Sequence, residues 1–367
     1  VYKRQDLDEA LKRLDGLKKT RLSPYENALV LQTFGFVYAQ QSKYGPAIDA
    51  FEECIALDAL PNVGQQGMLY SLAGLYGAQE RFQDSVNTMM EWFKYAQEPV
   101  PANAYMLVGS NYSELEDYPK ALPYVMEAIK RSADDPRESW YQLSLSINFE
   151  SKRFADAASL LRTMVVLWPD KLRNWEMLSS VYLELNQDDN ALATLMLAYQ
   201  RGLIEEEKTL LNLVKMNLFL EIPFEGGKIL EKAMDAGKVE KTQYNLELLL
   251  SAWTGAREFD KAIKVIDVLA PLVDSGEYYW QRAQLFNEKA NWSEVVSSAT
   301  QALERGGLKR PGEAYVLMGM AHAELGEFGR SIAAFEQAKK HGDDARRNAT
   351  AWIDYVNDRR QVAMARN

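Results

Sequence analysis

The side chains of this 367-residue chain that could do chemistry are few: two histidines, one cysteine and two short clusters. His322 and His341 lie near one end, and the sequence offers neither a partner for a Ser-His-Asp or Cys-His set. His322 falls where tyrosine stands in equivalent segments, so it reads as an ordinary packed residue. His341 lies just past a helix end, where an imidazolium or a solvated ring suits the negative end of the helix dipole. Cys54 is alone, so no intramolecular disulfide forms. Without HExxH or CxxC, no transition-metal site of ordinary spacing is available. Gly226-Gly227-Lys228 lacks the first glycine and the Ser/Thr of a phosphate loop, and no strand precedes it. Glu205-Glu206-Glu207 opens a helix, where carboxylates favour the dipole. These residues point to no enzyme, no cofactor and no metal.

The elements that carry these residues repeat. Seven segments hold an aromatic residue followed three positions later by a short one: Tyr44 to Ala47, Phe82 to Ser85, Tyr118 to Ala121, Phe154 to Ala157, Phe259 to Ala262, Trp292 to Val295 and Phe328 to Ser331. Weaker copies at Asp188 to Ala191 and Pro223 to Gly226 fill the gap, and all nine recur at spacings of 33 to 38 residues. Nine residues before the short one stand Tyr38, Tyr76, Tyr112, Tyr182, Trp253 and Phe286. Seven after it stand Cys54, Ala128, Ala198, Ala233, Ala302 and Ala338. Pairs such as Phe34-Gly35, Val108-Gly109 and Met318-Gly319 lie earlier in the same segments. Each copy reads as helix A, a turn bearing the aromatic, then helix B.

This pattern resembles the tetratricopeptide repeat over residues 27–340. The resemblance implies an all-α, right-handed superhelical solenoid of about nine helix-turn-helix repeats. Residues 1–22 would be an N-terminal capping helix, 23–341 the superhelix, and 342–367 a C-terminal capping helix with a frayed tail from Val362. Ala349, Trp352, Ile353 and Val356 of the last helix recur at helical spacing. Small residues let helices A and B approach, and the aromatics plug the space between repeats, so stability accrues from neighbour interfaces. On that reading, truncating Phe154 to Ala costs about 3–5 kcal/mol. The sixth repeat, with Pro223 and Gly226-Gly227, is expected to be irregular.

Composition limits the partner. Net charge is −10, with 42 Lys and Arg against 52 Asp and Glu, which disfavours nucleic acid and anionic membrane surfaces. No apolar run approaches the roughly 20 residues of a membrane span. The chain opens at Val1, without Met or signal sequence, as either a processed or a trimmed chain would, so removal of an export signal is one expectation. A single thiol suits cytosol and periplasm equally.

In such an array, function lies on the concave face lined by A helices. The positions expected there are Gln32 and Phe36, Tyr70 and Gly74, Met106 and Ser110, Gln142 and Ser146, Glu176 and Ser180, Glu247 and Ser251, and Trp280 and Gln284. Asn103, Phe149, Tyr244 and Asn287 flank them. Phe36, Tyr70, Met106 and Phe149 predict an apolar, aromatic groove in the N-terminal half, unless those rings pack on a neighbouring helix. Glu176, Glu184, Glu247 and Glu288 make the other half more acidic. The Lys–Asn–Arg carboxylate clamp of chaperone-tail binders is absent. The expected ligand is a peptide with apolar anchors, and with basic residues towards the acidic end.

The junctions Leu197-Ala-Tyr-Gln-Arg-Gly-Leu203, Gln243 to Trp253 and Leu303-Glu-Arg-Gly-Gly-Leu-Lys-Arg-Pro-Gly312, with Ala351-Trp-Ile-Asp-Tyr355, carry a narrower resemblance. They are similar to a periplasmic tetratricopeptide family encoded with TonB–ExbB–ExbD transport systems of Gram-negative bacteria. That resemblance implies a periplasmic scaffold, its signal peptide removed, accessory to TonB-dependent outer-membrane transport and touching TonB-complex components or outer-membrane receptors. A general envelope or cytoplasmic adaptor, and a recruitment domain of an enzyme complex, are the alternatives.

Overall fold

The computed structural model describes residues 2–366 and the side chains of residues 6–362, and all of its regular elements are helices. The chain divides into two compact halves, Val1–Gln187 and Asp188–Asn367. In the first, α1 (Tyr2–Lys18) precedes α2 (Pro24–Gln40), α3 (Tyr44–Ala56), α4 (Asn62–Ala78), α5 (Phe82–Tyr95), α6 (Ala102–Glu114), α7 (Tyr118–Arg131), α8 (Glu138–Glu150), α9 (Phe154–Leu167) and α10 (Leu172–Glu184). The second runs α11 (Asp188–Gln200), α12 (Glu207–Phe219), α13 (Pro223–Asp235), α14 (Gln243–Gly255), α15 (Phe259–Leu269), α16 (Glu277–Glu288), α17 (Trp292–Arg305), α18 (Pro311–Glu324), α19 (Phe328–Ala338) and α20 (Asp343–Arg366). The even-numbered helices from α2 to α18 are the A helices of repeats one to nine, and the odd-numbered helices from α3 to α19 are their B helices. Within each half, consecutive helices pack in turn, as in a solenoid of repeats. Among the described residues no helix is long and apolar enough to cross a membrane.

One turn geometry is repeated nine times. Five residues before each short residue the chain enters the left-handed region, at Ser42, Glu80, Glu116, Lys152, Asn186, Glu221, Arg257, Ala290 and Gly326, with φ from +52° to +75°. The next residue's N–H then donates to the carbonyl five residues back, as in Lys43 to Tyr38 and Glu327 to His322, both at 2.9 Å. This closes the A helix as a Schellman cap and aims the chain into helix B. The sixth repeat keeps the same turn, with Glu221 at φ +58° and Ile222 bonded to Asn217 at 2.8 Å. Its Gly227 makes room for a neighbour: a Cβ there would stand 2.9 Å from the Trp253 ring, which is fully buried.

The short residues are buried in every repeat, from Ala47 to Ser331. Twelve residues earlier, Gly35, Gly109 and Gly319 each face the residue four beyond the short one: Phe51, Val125 and Phe335. A Cβ on Gly35 would lie 2.1 Å from Phe51, and one on Gly319 2.7 Å from Phe335. The largest rings of the core are therefore matched to the smallest partners across the hairpin. Ser85 and Ser331 add a fixed bond, donating to the carbonyls of Ala73 at 2.6 Å and Gly319 at 2.7 Å.

The aromatics that open the B helices are half-buried throughout, Phe154 included. The full plug is supplied instead from within helix B, by residues such as Phe51, Met89, Leu161 and Phe335. Because Phe154 keeps part of its surface in water, its truncation forfeits less than the 3–5 kcal/mol of a fully buried ring.

Both ends carry an extra helix. Leu7, Ala10, Leu11 and Leu14 of α1 pack on Val30, Phe34 and Val37 of α2. At the other end Ala349 and Val356 of α20 are buried against Phe335 and Ala338, with the Trp352 ring stacked on Phe335. The helix continues to Arg366, past the Val362 at which fraying was expected; Asn367 lies outside the described residues.

Candidate functional site

The residues expected on the binding face sit on A helices, and each half presents its own set. In the first half Phe36 is 46% exposed and meets Phe51 edge-on, ring centroids 5.2 Å apart. Tyr70 is half-buried against Trp92 at 5.6 Å, and burial raises its phenol above the ordinary range. Phe149 is half-buried beside Phe154 at 6.3 Å. Three of the four groove aromatics and apolars thus lean on a ring of their own repeat, and what they offer a partner is an edge. Gln32 and Met106 are half-buried, while Ser110 donates to the Leu107 carbonyl at 3.1 Å. Gln142 and Ser146 are exposed, with the Gln142 amide 3.3 Å from Glu138, and Glu176 is half-buried.

The second half gathers its candidates more closely. Tyr244 is 57% exposed, with the Lys215 ammonium 5.4 Å from its ring centre. Glu247 accepts hydrogen bonds from the Tyr278 hydroxyl and from the Gln243 amide at 2.8 Å. These bonds favour its anion and hold its pKa below the carboxylate range, while burial and then the Glu247 bond push Tyr278 up to about 12. Trp280 and Gln284 share a cleft of about 420 Å³ with Thr254, Asn287, Glu288 and Leu317. Its lining comes from α14, α16 and α18, three consecutive A helices. An indole wall, amides and a carboxylate in one open cleft suit a peptide segment with an apolar anchor and polar backbone.

The residues first weighed for chemistry take structural places. His322 has a partner after all: its Nδ1 lies 2.6 Å from Oε2 of Glu327, which no pairing motif announces because Glu327 belongs to the turn. His341 stacks on Tyr315 at 5.4 Å. Cys54 is buried and its thiol is pushed up by burial. Glu207 accepts from the Asn245 amide at 3.2 Å, and Glu205 from Lys238 at 2.9 Å, so the acidic opening of α12 is tied to the next repeat. The described residues include no group of three or more His, Cys, Asp or Glu placed to hold a metal ion.

The sequence profile of the tetratricopeptide repeat matches residues 102–135 and 312–340, which are repeats three and nine. The chain carries tetratricopeptide repeats. A comparison with curated proteins finds no match. Among solved structures it is similar to the crystal structure of MamA, at 16% identity and a TM-score of 0.40, over 48% of this chain and 91% of that one. It is also similar to YrrB, described as a TPR protein with an unusual peptide-binding site, at 14% identity and a TM-score of 0.39, over 51% and 88%. A third likeness is to a chain of the Naa15/Naa10 complex bound to HypK-THB, at 14% identity and a TM-score of 0.47. That match spans 90% of this chain and 52% of the other. The repeat architecture is that of an interaction scaffold.

Proposed function

We propose that the chain is a non-catalytic scaffold that takes a peptide or protein partner on the exposed faces of its A helices. The cleft between α14, α16 and α18 carries this reading, because Trp280, Gln284 and Asn287 stand together there on an open surface. Glu288, paired with Arg257 at 3.7 Å, adds a polar rim to the apolar indole wall.

The finer assignment rests on the junction sequences from Leu197, Gln243 and Leu303. They support a periplasmic accessory of a TonB-dependent outer-membrane transport system, with TonB-complex components or outer-membrane receptors as partners. Affinity capture from an envelope extract, with the full chain as bait, tests it. Specific enrichment of those components is the expected result. Their absence, with other proteins enriched, would overturn the transport assignment and leave a general adaptor.

A further inference from the structure

The turn of repeat six has the backbone of the other eight but different side chains. From Leu218 to Phe224 the chain reads Leu-Phe-Leu-Glu-Ile-Pro-Phe, six apolar residues in seven, where repeat four reads Phe-Glu-Ser-Lys-Arg-Phe-Ala from Phe149. Three of them stand in water: Phe219 is 77% exposed, Ile222 41% and Phe224 43%. In the same register, five of the other eight repeats hold glutamate at the first of these positions. All eight hold a charged or amide residue at the second, and none holds an aromatic or a branched aliphatic at the third. The backbone does not ask for the exchange, since Glu221 keeps the left-handed φ of +58° and the cap bond from Ile222 is intact at 2.8 Å. Phe224 has a part in packing: it meets Trp253 edge-on at 5.9 Å, in place of the aromatic that Pro223 displaces. Phe219 and Ile222 have no such account. On the order of 300 Å² of apolar surface gathered at one hairpin turn marks a contact site.

We propose that this turn is a self-association surface, on which a second copy of the chain docks its own repeat-six turn about a two-fold axis. The charges at the patch select that occupant. Glu221 stands in sequence between Phe219 and Ile222 and is exposed, and Lys261 lies over the Phe224 ring at 5.4 Å. Among the described residues neither has an ion-pair partner, whereas the neighbouring Glu225 is already paired with Lys228 at 3.7 Å. The patch thus holds an unpaired acid and an unpaired base beside its rings. An isologous contact demands such self-complementarity: Glu221 of one copy meets Lys261 of the other, twice. A lipid surface fits poorly, because it would bury the Glu221 carboxylate beside the rings without a counter-charge. The apolar area falls well short of the roughly 800 Å² per partner of a stable dimer, so the association is weak and reversible. This surface lies at the A-to-B turn rather than along the A helices, and stands independently of the function proposed above.

The test is sedimentation equilibrium of the full chain over a range of concentrations. A monomer–dimer equilibrium is expected, with a Kd of about 10 μM. Phe219→Glu combined with Ile222→Arg installs residue types that repeat four carries at these positions, Glu150 and Arg153, so the fold is retained. This pair should weaken association at least about 50-fold, at an unchanged melting temperature. Glu221→Lys alone should weaken it about tenfold, and Lys261→Glu likewise, since each sets like charges against one another at both ends of the contact. The two together should return to within about threefold of wild type, because the exchanged charges still meet across the two-fold. A chain that stays monomeric to about twentyfold above the expected Kd would overturn the proposal. So would a dimer untouched by the first pair, or a charge swap that keeps its helicity yet fails to recover association. A monomer that sediments with phosphatidylcholine vesicles, and ceases to in Phe219→Glu, would overturn it too and assign the turn to a lipid surface.

Discussion

His322 and Glu327 close the last repeat together: the imidazole Nδ1 stands 2.6 Å from the carboxylate, and the Glu327 N–H donates to the His322 carbonyl at 2.9 Å. The same five-residue step thus carries both the backbone cap and a side-chain pair. The His322 bond, with Arg330 contributing charge, holds the Glu327 carboxyl below its ordinary range. A carboxyl depressed in the folded state contributes stability above its unfolded pKa and loses that contribution as pH falls through the folded one. Glu327→Gln should therefore lower the melting temperature at neutral pH, and the gap from wild type should close below about pH 4. Parallel thermal melts of the two proteins from neutral pH downward check this; a gap that persists in acid would assign the loss to packing.

The match between glycine and ring across a hairpin makes a sharper claim. Gly319→Ala would place a methyl 2.7 Å from Phe335, in a core with no slack. The expected loss is about 1–3 kcal/mol in denaturant unfolding. Pairing it with Phe335→Leu should recover part of that loss, because the smaller side chain makes room. Losses that simply add would show that the two positions do not share the space.

Ala290 carries the left-handed turn of the eighth repeat at φ +52° with no polar side chain to offset the strain. Ala290→Gly should raise stability by about 1 kcal/mol, the left-handed penalty outweighing the chain entropy that glycine adds. Equilibrium unfolding measures it, and destabilisation by the same amount would contradict the turn assignment.

Phe154→Ala separates two views of the repeat's aromatic. As a half-buried ring beside Phe149 it should cost about 1–2 kcal/mol, whereas Leu161→Ala, in the fully buried place of the same helix, should cost about 2–5 kcal/mol. Unfolding titrations of the pair check the order, and a larger loss at Phe154 would reverse it.

Much of the fold is legible because the repeat spaces small residues at a fixed register. Ala47, Ala121, Ala157 and their equivalents are buried where the pattern places them, and Cys54, Ala128 and Ala338 follow seven residues later. The nine left-handed turns are not legible, since Ser, Glu, Lys, Asn, Arg and Ala hold positions where only Gly326 advertises the conformation. The Schellman bond imposes the conformation against local preference. The candidate surface was readable only as register. Which aromatics stay free depends on the ring across the hairpin: Phe51 takes an edge of Phe36 and Trp92 a side of Tyr70, whereas Tyr244 meets the Lys215 ammonium and stays 57% exposed.

The most direct test of partner binding through the A helices is a comparison of two folded variants with wild type in the envelope capture. One combines Tyr244→Ala with Gln284→Ala on α14 and α16; the other combines Val166→Ala with Leu272→Ala, exposed positions at the end of α9 and just beyond α15. With helicity and melting temperature matched to wild type, the first should lose the specifically captured partner and the second should retain it. Retention by the first variant with loss by the second would contradict the account and move the binding surface off the A helices.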